Sequence, residues 1–425
     1  MVFMIAFTFV TFVAVIGKTV NFISDMGAIP NNNSVNVSIL NRDLLNSIGN
    51  FLSPMDTFLI PNQTFYLMGG VNLNNLRFIT FQIDGSLVFS THLDLWPRDG
   101  NKPEDCIYFE NCNDLFFTSS GRGLINGNGE KWWGIPFIGA LIRLENRPKL
   151  FHMKFVYNIL IENLDFINSP YWTVHIEDVK RLIIRYTSII NKRTNSDKHT
   201  LIDISAFNTD GFDVQGENVH IHDCYIWTQD DCIAVKGNSK NMLFERITAS
   251  GVGLTIGSIG TEAVDNITFR DCYMPNTYKG IYMKFNGAAN TDYGGSISNI
   301  LYKNITIISP SEYAIWIGPA QQADSRFICH ANPCSLCWPM FRPWAKCNTP
   351  LYGNFSNVTL TDIQIIYKDN ELIPHKYIGV LMAPPSNPMR NVRFNNVRSN
   401  MKKKYICQGV NGIADANTSP IPDCF

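Results

Sequence analysis

Asp210 in FNTDGFDV and the adjacent Asp230 and Asp231 in TQDDCIAV are the side chains of this 425-residue sequence whose type and spacing point to chemistry. Carboxylates gathered in one groove repel one another, which favours keeping one protonated near neutral pH. A protonated acid beside ionised partners is the equipment of glycosidic hydrolysis. The acid protonates the leaving oxygen while a carboxylate activates water on the opposite face of the sugar. Such a site needs Asp210 beside Asp230 and Asp231, although Asp210 and Asp231 lie 21 residues apart. One coil further, 22 residues past Asp231, lies Gly253 in SGVGLTIGS, and the next coil carries GIYMKF with Lys284. The plainer role for Asp is to end strands at turns, and Asp213, Asp223 and Asp271 are assigned to it.

The elements that must bring these residues together show as an internal repeat. An Asn opens an alternating apolar run in NILIENLDF (Asn158), NVHIHDCYI (Asn218), NMLFERITA (Asn241) and NITFRDCYM (Asn266). The pattern returns in NILYKNITI (Asn299), NVTLTDIQI (Asn357) and NVRFNNVRS (Asn391), with a degenerate copy, RLIIRYTSI, at Arg181. The basic period is 22 to 25 residues with insertions, too short for a propeller blade. Short Val, Ile, Thr, Tyr and Phe runs broken by Gly, Asn and Asp read as strands and turns. A coil of three short strands uses about that many residues, and only stacked coils bury their inner faces. The expected fold is all-β, a single parallel β-helix. Neighbouring coils stack at about 4.8 Å, which sets Asp210 beside Asp230 and Asp231. Matching Asn residues should form ladders whose amides satisfy turn backbone. Lys18 to Ser90 should cap the open end, with DLLNSIGNFLS as its helix.

The order NTD, DD, GVG and YMK resembles family 28 glycoside hydrolases, the polygalacturonase group, whose signatures are NTD, DD, GHG and RIK at about this spacing. GLINGNGEKWWG and TVNFISDMGAIPNNNS resemble the family's upstream segments, so the similarity runs over most of Lys18 to Phe425. The resemblance implies a right-handed parallel β-helix, secretion and metal-independent hydrolysis that inverts the anomeric centre. Carried over, it makes Asp230 the general acid, with Asp210 and Asp231 holding the attacking water. Lys284 then contacts a substrate carboxylate, and Asn208 supports the acidic cluster. Three positions depart from the pattern: Val252 replaces the family His, Tyr282 the Arg, and Gln321 a Tyr. Val252 neither donates nor titrates, and Tyr282 offers one neutral hydroxyl where a bidentate cation is expected. Losing a charged hydrogen bond there weakens uronate binding by roughly 1.5–3 kcal/mol. The expected substrate is therefore a pectic or related cell-wall polysaccharide or oligosaccharide other than plain polygalacturonate.

Composition agrees with a large core, at 45% hydrophobic residues, and a net charge of −1 argues against nucleic-acid binding. Met1 to Gly17 is almost wholly apolar but shorter than the about 20 residues a spanning helix needs, so it reads as a signal peptide. No Lys or Arg precedes it, which leaves an uncleaved anchor open. Residues 18–425 then form one domain, expected to be monomeric, with no membrane partner after signal removal and no cofactor. Sequons at Asn32, Asn36, Asn62, Asn266, Asn304, Asn354, Asn357 and Asn417 fit export. Eleven cysteines suggest disulfides, with Cys106–Cys112, Cys407–Cys424 and the cluster Cys329, Cys334, Cys337 and Cys347 as candidates, although that cluster also reads as a zinc site and the odd count leaves one thiol over. Trp316 is expected as a sugar platform. Trp132 and Trp133 are balanced between stacking on sugar and packing on the solenoid, and His220 and His222 are read as surface residues. Two other functions remain: a catalytically silent carbohydrate-binding β-helix, and a calcium-dependent polysaccharide lyase.

Overall fold

The computed structural model describes residues 17–134, 146–200, 202–286, 292–321, 351–368, 377–402 and 404–425. The apolar leader up to residue 16 and the Cys329–Cys347 cluster lie outside the described residues. Within them, 26 strands join in one continuous sheet wound into a parallel β-helix, as the repeat predicts. One face of the coil, the floor sheet, is built in register from Ile107–Glu110, the starts of Phe151–Glu162, Val174–Arg185 and Phe212–Trp227, then Ile233–Val235 and Leu254–Ile259. It continues through Ile281–Phe285, Ile315–Pro319 and Tyr377–Met382.

Alternation along each strand fills the interior in columns. On the second face Ile161, Ile184, Ile221, Phe244, Phe269, Tyr302, Leu360 and Phe394 are successive register partners, and all are buried. Phe244, Phe269 and Tyr302 stack at 4.6 and 4.7 Å. The Asn that opens each repeat has a structural cause. Asn158, Asn218, Asn241, Asn266, Asn299, Asn357 and Asn391 all bend the chain at φ between +53° and +59°. Asn adopts that left-handed conformation more readily than other residues with a side chain. The ladders correct the expectation in one respect. Their amides bond mostly along the stack, as in Asn357 Nδ2 to Asn299 Oδ1 at 3.0 Å and Asn391 Nδ2 to Asn357 Oδ1 at 2.8 Å. Asp223 and Asp271 hold the same conformation at a second bend, the turn role assigned to them.

The N-terminal cap differs more. Its helix α1 spans Val35–Asn46, upstream of the expected DLLNSIGNFLS, most of which follows the helix as a short 3-10 turn and loop. Val37, Ser38, Asn41 and Leu45 are its buried face, spaced three and four apart. Strands at Thr57–Ile60 and Arg77–Ile83 already belong to the coil stack, so the cap is shorter than Lys18 to Ser90. Cys407 and Cys424 are disulfide-bonded, whereas Cys106 and Cys112 are separate buried thiols inside the apolar core. Trp132 and Trp133 are buried, which settles them as packing residues.

Candidate active site

The floor strands begin at Phe212, Ile233, Leu254 and Ile281, in register. Counting two residues back from each gives one row at the mouth of the floor: Asp210, Asp231, Val252 and Lys279. Coil stacking therefore brings Asp210 to Asp230 and Asp231, and carboxylate oxygens of the three lie within 4.8 Å of one another. Asp210 and Asp231 are 4% and 2% exposed, and Asp230 is the member that reaches the surface.

Each carboxylate sits in a different field. Asp231 accepts from Lys284 Nζ at 2.7 Å and from Thr255 Oγ1 at 2.8 Å. Asp230 accepts from the backbone N and the side-chain Nδ2 of Asn208, both at 3.2 Å, and from the Asp231 N–H at 2.9 Å. Asp210 Oδ1 is buried with no hydrogen-bond partner among the described residues. Burial, and then the Asp231 charge, push Asp230 above the usual carboxylate range. Burial, and then Asp213 and Asp230, push Asp210 well above it. Asp210 and Asp230 thus hold protons to a higher pH than free carboxylates would.

Asp213 is not the turn residue assigned from sequence. It lies within the strand Phe212–Trp227, fully buried, and is ion-paired with Lys236. Burial raises its pKa to about 6 against the lowering effect of Lys236. Sequence reasoning missed this fourth acid and its partner. Strand alternation sets Lys236 and Lys284 alike, each three residues beyond the strand starts Ile233 and Ile281, but does not say which acid Lys236 meets.

The downstream side departs from expectation. Tyr282 is 2% exposed, and its hydroxyl accepts from the Gln321 backbone N–H at 2.9 Å. Its ring instead meets two ammonium groups, Lys284 Nζ at 4.4 Å and Lys279 Nζ at 5.0 Å from the centroid. Lys279, a residue not singled out from sequence, is buried and paired with Glu312. Trp316 is fully buried, with Nε1 donating to Pro319 O at 2.9 Å. A sugar platform needs an open ring face, so Trp316 is corrected to a core residue. It packs with Tyr282, Tyr313, Val380 and Met382 in an apolar cluster that Val252 joins. Gln321 is also buried. His220 Nε2 is hydrogen-bonded to Glu245 Oε1 at 3.0 Å, and His222 Nδ1 to Asp223 Oδ2 at 2.6 Å.

The fold is thus a parallel β-helix that carries a carboxylate trio and a lysine at the mouth of its floor sheet. The model of glycosyl hydrolases family 28 matches residues 54–326, and the chain belongs to that family. Endopolygalacturonase D of Aspergillus niger is 34% identical over 211 residues, covering 48% of this chain and 41% of that protein. The exopolygalacturonase of Cochliobolus carbonum is 26% identical over 296 residues, 64% of this chain and 63% of its own. The chain thus matches less than two thirds of the length of either relative. Among solved structures, the endo-xylogalacturonan hydrolase from Aspergillus tubingensis superposes with a TM-score of 0.64 at 19% identity, covering 91% of this chain and 98% of the other. The polygalacturonase from Erwinia carotovora gives 0.63 at 17% identity, over 94% and 96%. These two likenesses concern the fold.

Proposed function

We propose that this chain is a secreted glycosidase that hydrolyses O-glycosidic bonds of a pectic or related cell-wall polysaccharide. Asp230 acts as general acid, and Asp210 and Asp231 hold and activate the attacking water. The observation that carries this reading is the gathering of three carboxylates within 4.8 Å, with the partly exposed Asp230 and the buried Asp210 both raised in pKa. A proton donor near neutral pH needs that direction of shift. Lys284 serves the site through Asp231, and Asn208 holds Asp230 by two hydrogen bonds. Family membership and the polygalacturonase relatives support pectic substrates. Val252 in an apolar cluster and the occupied Tyr282 hydroxyl support a preference away from plain polygalacturonate.

Single-displacement inversion is the stereochemistry the family resemblance supports. Reducing-sugar release from a glycan panel tests the function, with Asp230→Asn expected to lose about 10²–10⁴-fold in kcat. Proton NMR of the first-formed anomer separates inversion from retention. A panel in which no glycan is cleaved but one is bound would replace the hydrolase by a binding protein. Calcium-dependent formation of ultraviolet-absorbing unsaturated ends would replace it by a lyase.

A further inference from the structure

Upstream of the aspartates, the outward side of the floor sheet carries a different set of ligating groups. His152 and His175 are register partners on adjacent coils, and Asp213 follows His175 in the same column. The two histidines therefore stand one and two coils from the aspartate coil, on the same face. Their rings stack with centroids 4.7 Å apart. Both address one oxygen: His152 Nε2 is 2.8 Å and His175 Nδ1 is 3.4 Å from Glu177 Oε1.

Two features are left unexplained by ion pairing. His175 is 5% exposed, and its buried Nδ1 has no hydrogen-bond partner among the described residues although it points at that carboxylate. Leaving a buried polar atom unmet is costly, and a ligand in that space would satisfy it. His152 Nδ1, for its part, is 2.7 Å from Asp105 Oδ2. Metal-bound histidines present their far nitrogen to a carboxylate in this way, which fixes the ring and raises its basicity. The spacing also suits an ion. Donors about 2.0–2.1 Å from a tetrahedral zinc stand about 3.3 Å from one another, close to the separations here.

We propose that His152, His175 and Glu177 bind a first-row divalent cation of the zinc type, with Asp105 orienting His152. Two imidazoles and one carboxylate suit zinc and its neighbours, whereas calcium and magnesium take oxygen ligands. Three protein ligands leave a fourth position for water or a sugar oxygen, on the side where Glu177 is 25% exposed. Lys149, with Nζ 3.9 Å from Glu177, is the competing cation that a bound ion would turn aside. The site is separate from the aspartates and does not depend on their hydrolytic role.

The test uses the full chain, stripped with chelator and titrated with Zn²⁺ by calorimetry, with Co²⁺ as an optical probe. One equivalent of Zn²⁺ should bind. The cobalt form should show visible d–d bands with no thiolate-to-metal charge transfer. His175→Gln and Glu177→Gln should each weaken Zn²⁺ at least about tenfold, and Asp231→Asn should leave it unchanged. Thermal unfolding without metal verifies that each variant is folded; if His175→Gln is not, the partly exposed Glu177→Gln decides. Absence of stoichiometric binding overturns the proposal. So does a thiolate charge-transfer band, which would place the ion on cysteines. Affinity that falls with Asp231→Asn but not with Glu177→Gln overturns it as well, by placing the ion on the aspartates.

Discussion

Buried carboxylates that stay together against their own repulsion leave a signature in pH dependence. Asp210, Asp230 and Asp213 all have folded pKa values raised first by burial, Asp213 to about 6. An unfolded Asp titrates near about 3.9. The folded state therefore holds these protons more tightly, and the stability it gains at low pH is lost as pH rises from about 4 through the folded values. Asp210→Asn removes the charge but keeps the shape. Its thermal midpoint should exceed wild type by a few degrees at pH 7.5 and match it near pH 4, where Asp210 is already protonated. A lower midpoint at pH 7.5 would show that the carboxylate is not under repulsion. Activity carries a matching sign. Lys284 lowers Asp230, so Lys284→Met should reduce kcat and move the alkaline limb of the pH–rate profile to higher pH. An unmoved limb would separate Lys284 from the acid. The trio was legible in sequence because one coil length separates Asp210 from Asp231, and stacking does the rest. Asp213 and Trp316 were not legible, because each depends on what covers an outward-facing strand position, and alternation alone does not say that.

At the level of the coil, the repeating Asn is a backbone device before it is a hydrogen-bonding one. Asn357 bends the chain at φ +54° and bonds to Asn299 and Asn391 on either side, in exposed positions. Exposed hydrogen bonds exchange with water and contribute little net energy, while the left-handed conformation costs an ordinary L-residue about 1–2 kcal/mol. Asn357→Ala should therefore destabilise by about 1–2 kcal/mol, and Asn357→Gly by clearly less, measured by denaturant unfolding. Equal losses would mean that the ladder bonds, not the bend, are what Asn supplies. Because the bend demands one residue type, the repeats could be aligned by eye, and the coil architecture followed. Helix α1 was misplaced for the opposite reason. Its register is set by docking on the solenoid end, where the buried Asn41 amide donates to Ile29 O at 3.0 Å and Tyr66 O at 3.1 Å. A buried Asn reads as polar surface in any periodicity search.

For the whole molecule, stacking makes the β-helix nearly one-dimensional, with each coil supported mainly by its two neighbours. The end coils lack one neighbour and need other support. At the N-terminal end helix α1 closes the stack. At the C-terminal end the chain from Val410 to Ala414 pairs with Met389–Ser399, and the disulfide between Cys407 and Cys424 ties the tail across 17 residues. A loop of about that length restrains the unfolded chain by about 3 kcal/mol in the chain-entropy account. Replacing both cysteines by serine should therefore loosen the final coil first. Hydrogen exchange should rise in Met389–Ala414, while the coils from Phe212 to Phe285, which hold the aspartates and Lys284, keep their protection and kcat stays within about twofold, less than 0.5 kcal/mol of barrier. The aspartate coils lie several coils from that end, and nearest-neighbour coupling dies away over such a span. A parallel loss of protection at Asp230 and at the tail would mean that the interior columns of stacked side chains transmit disorder along the axis. The active site would then depend on the closure of an end it does not touch.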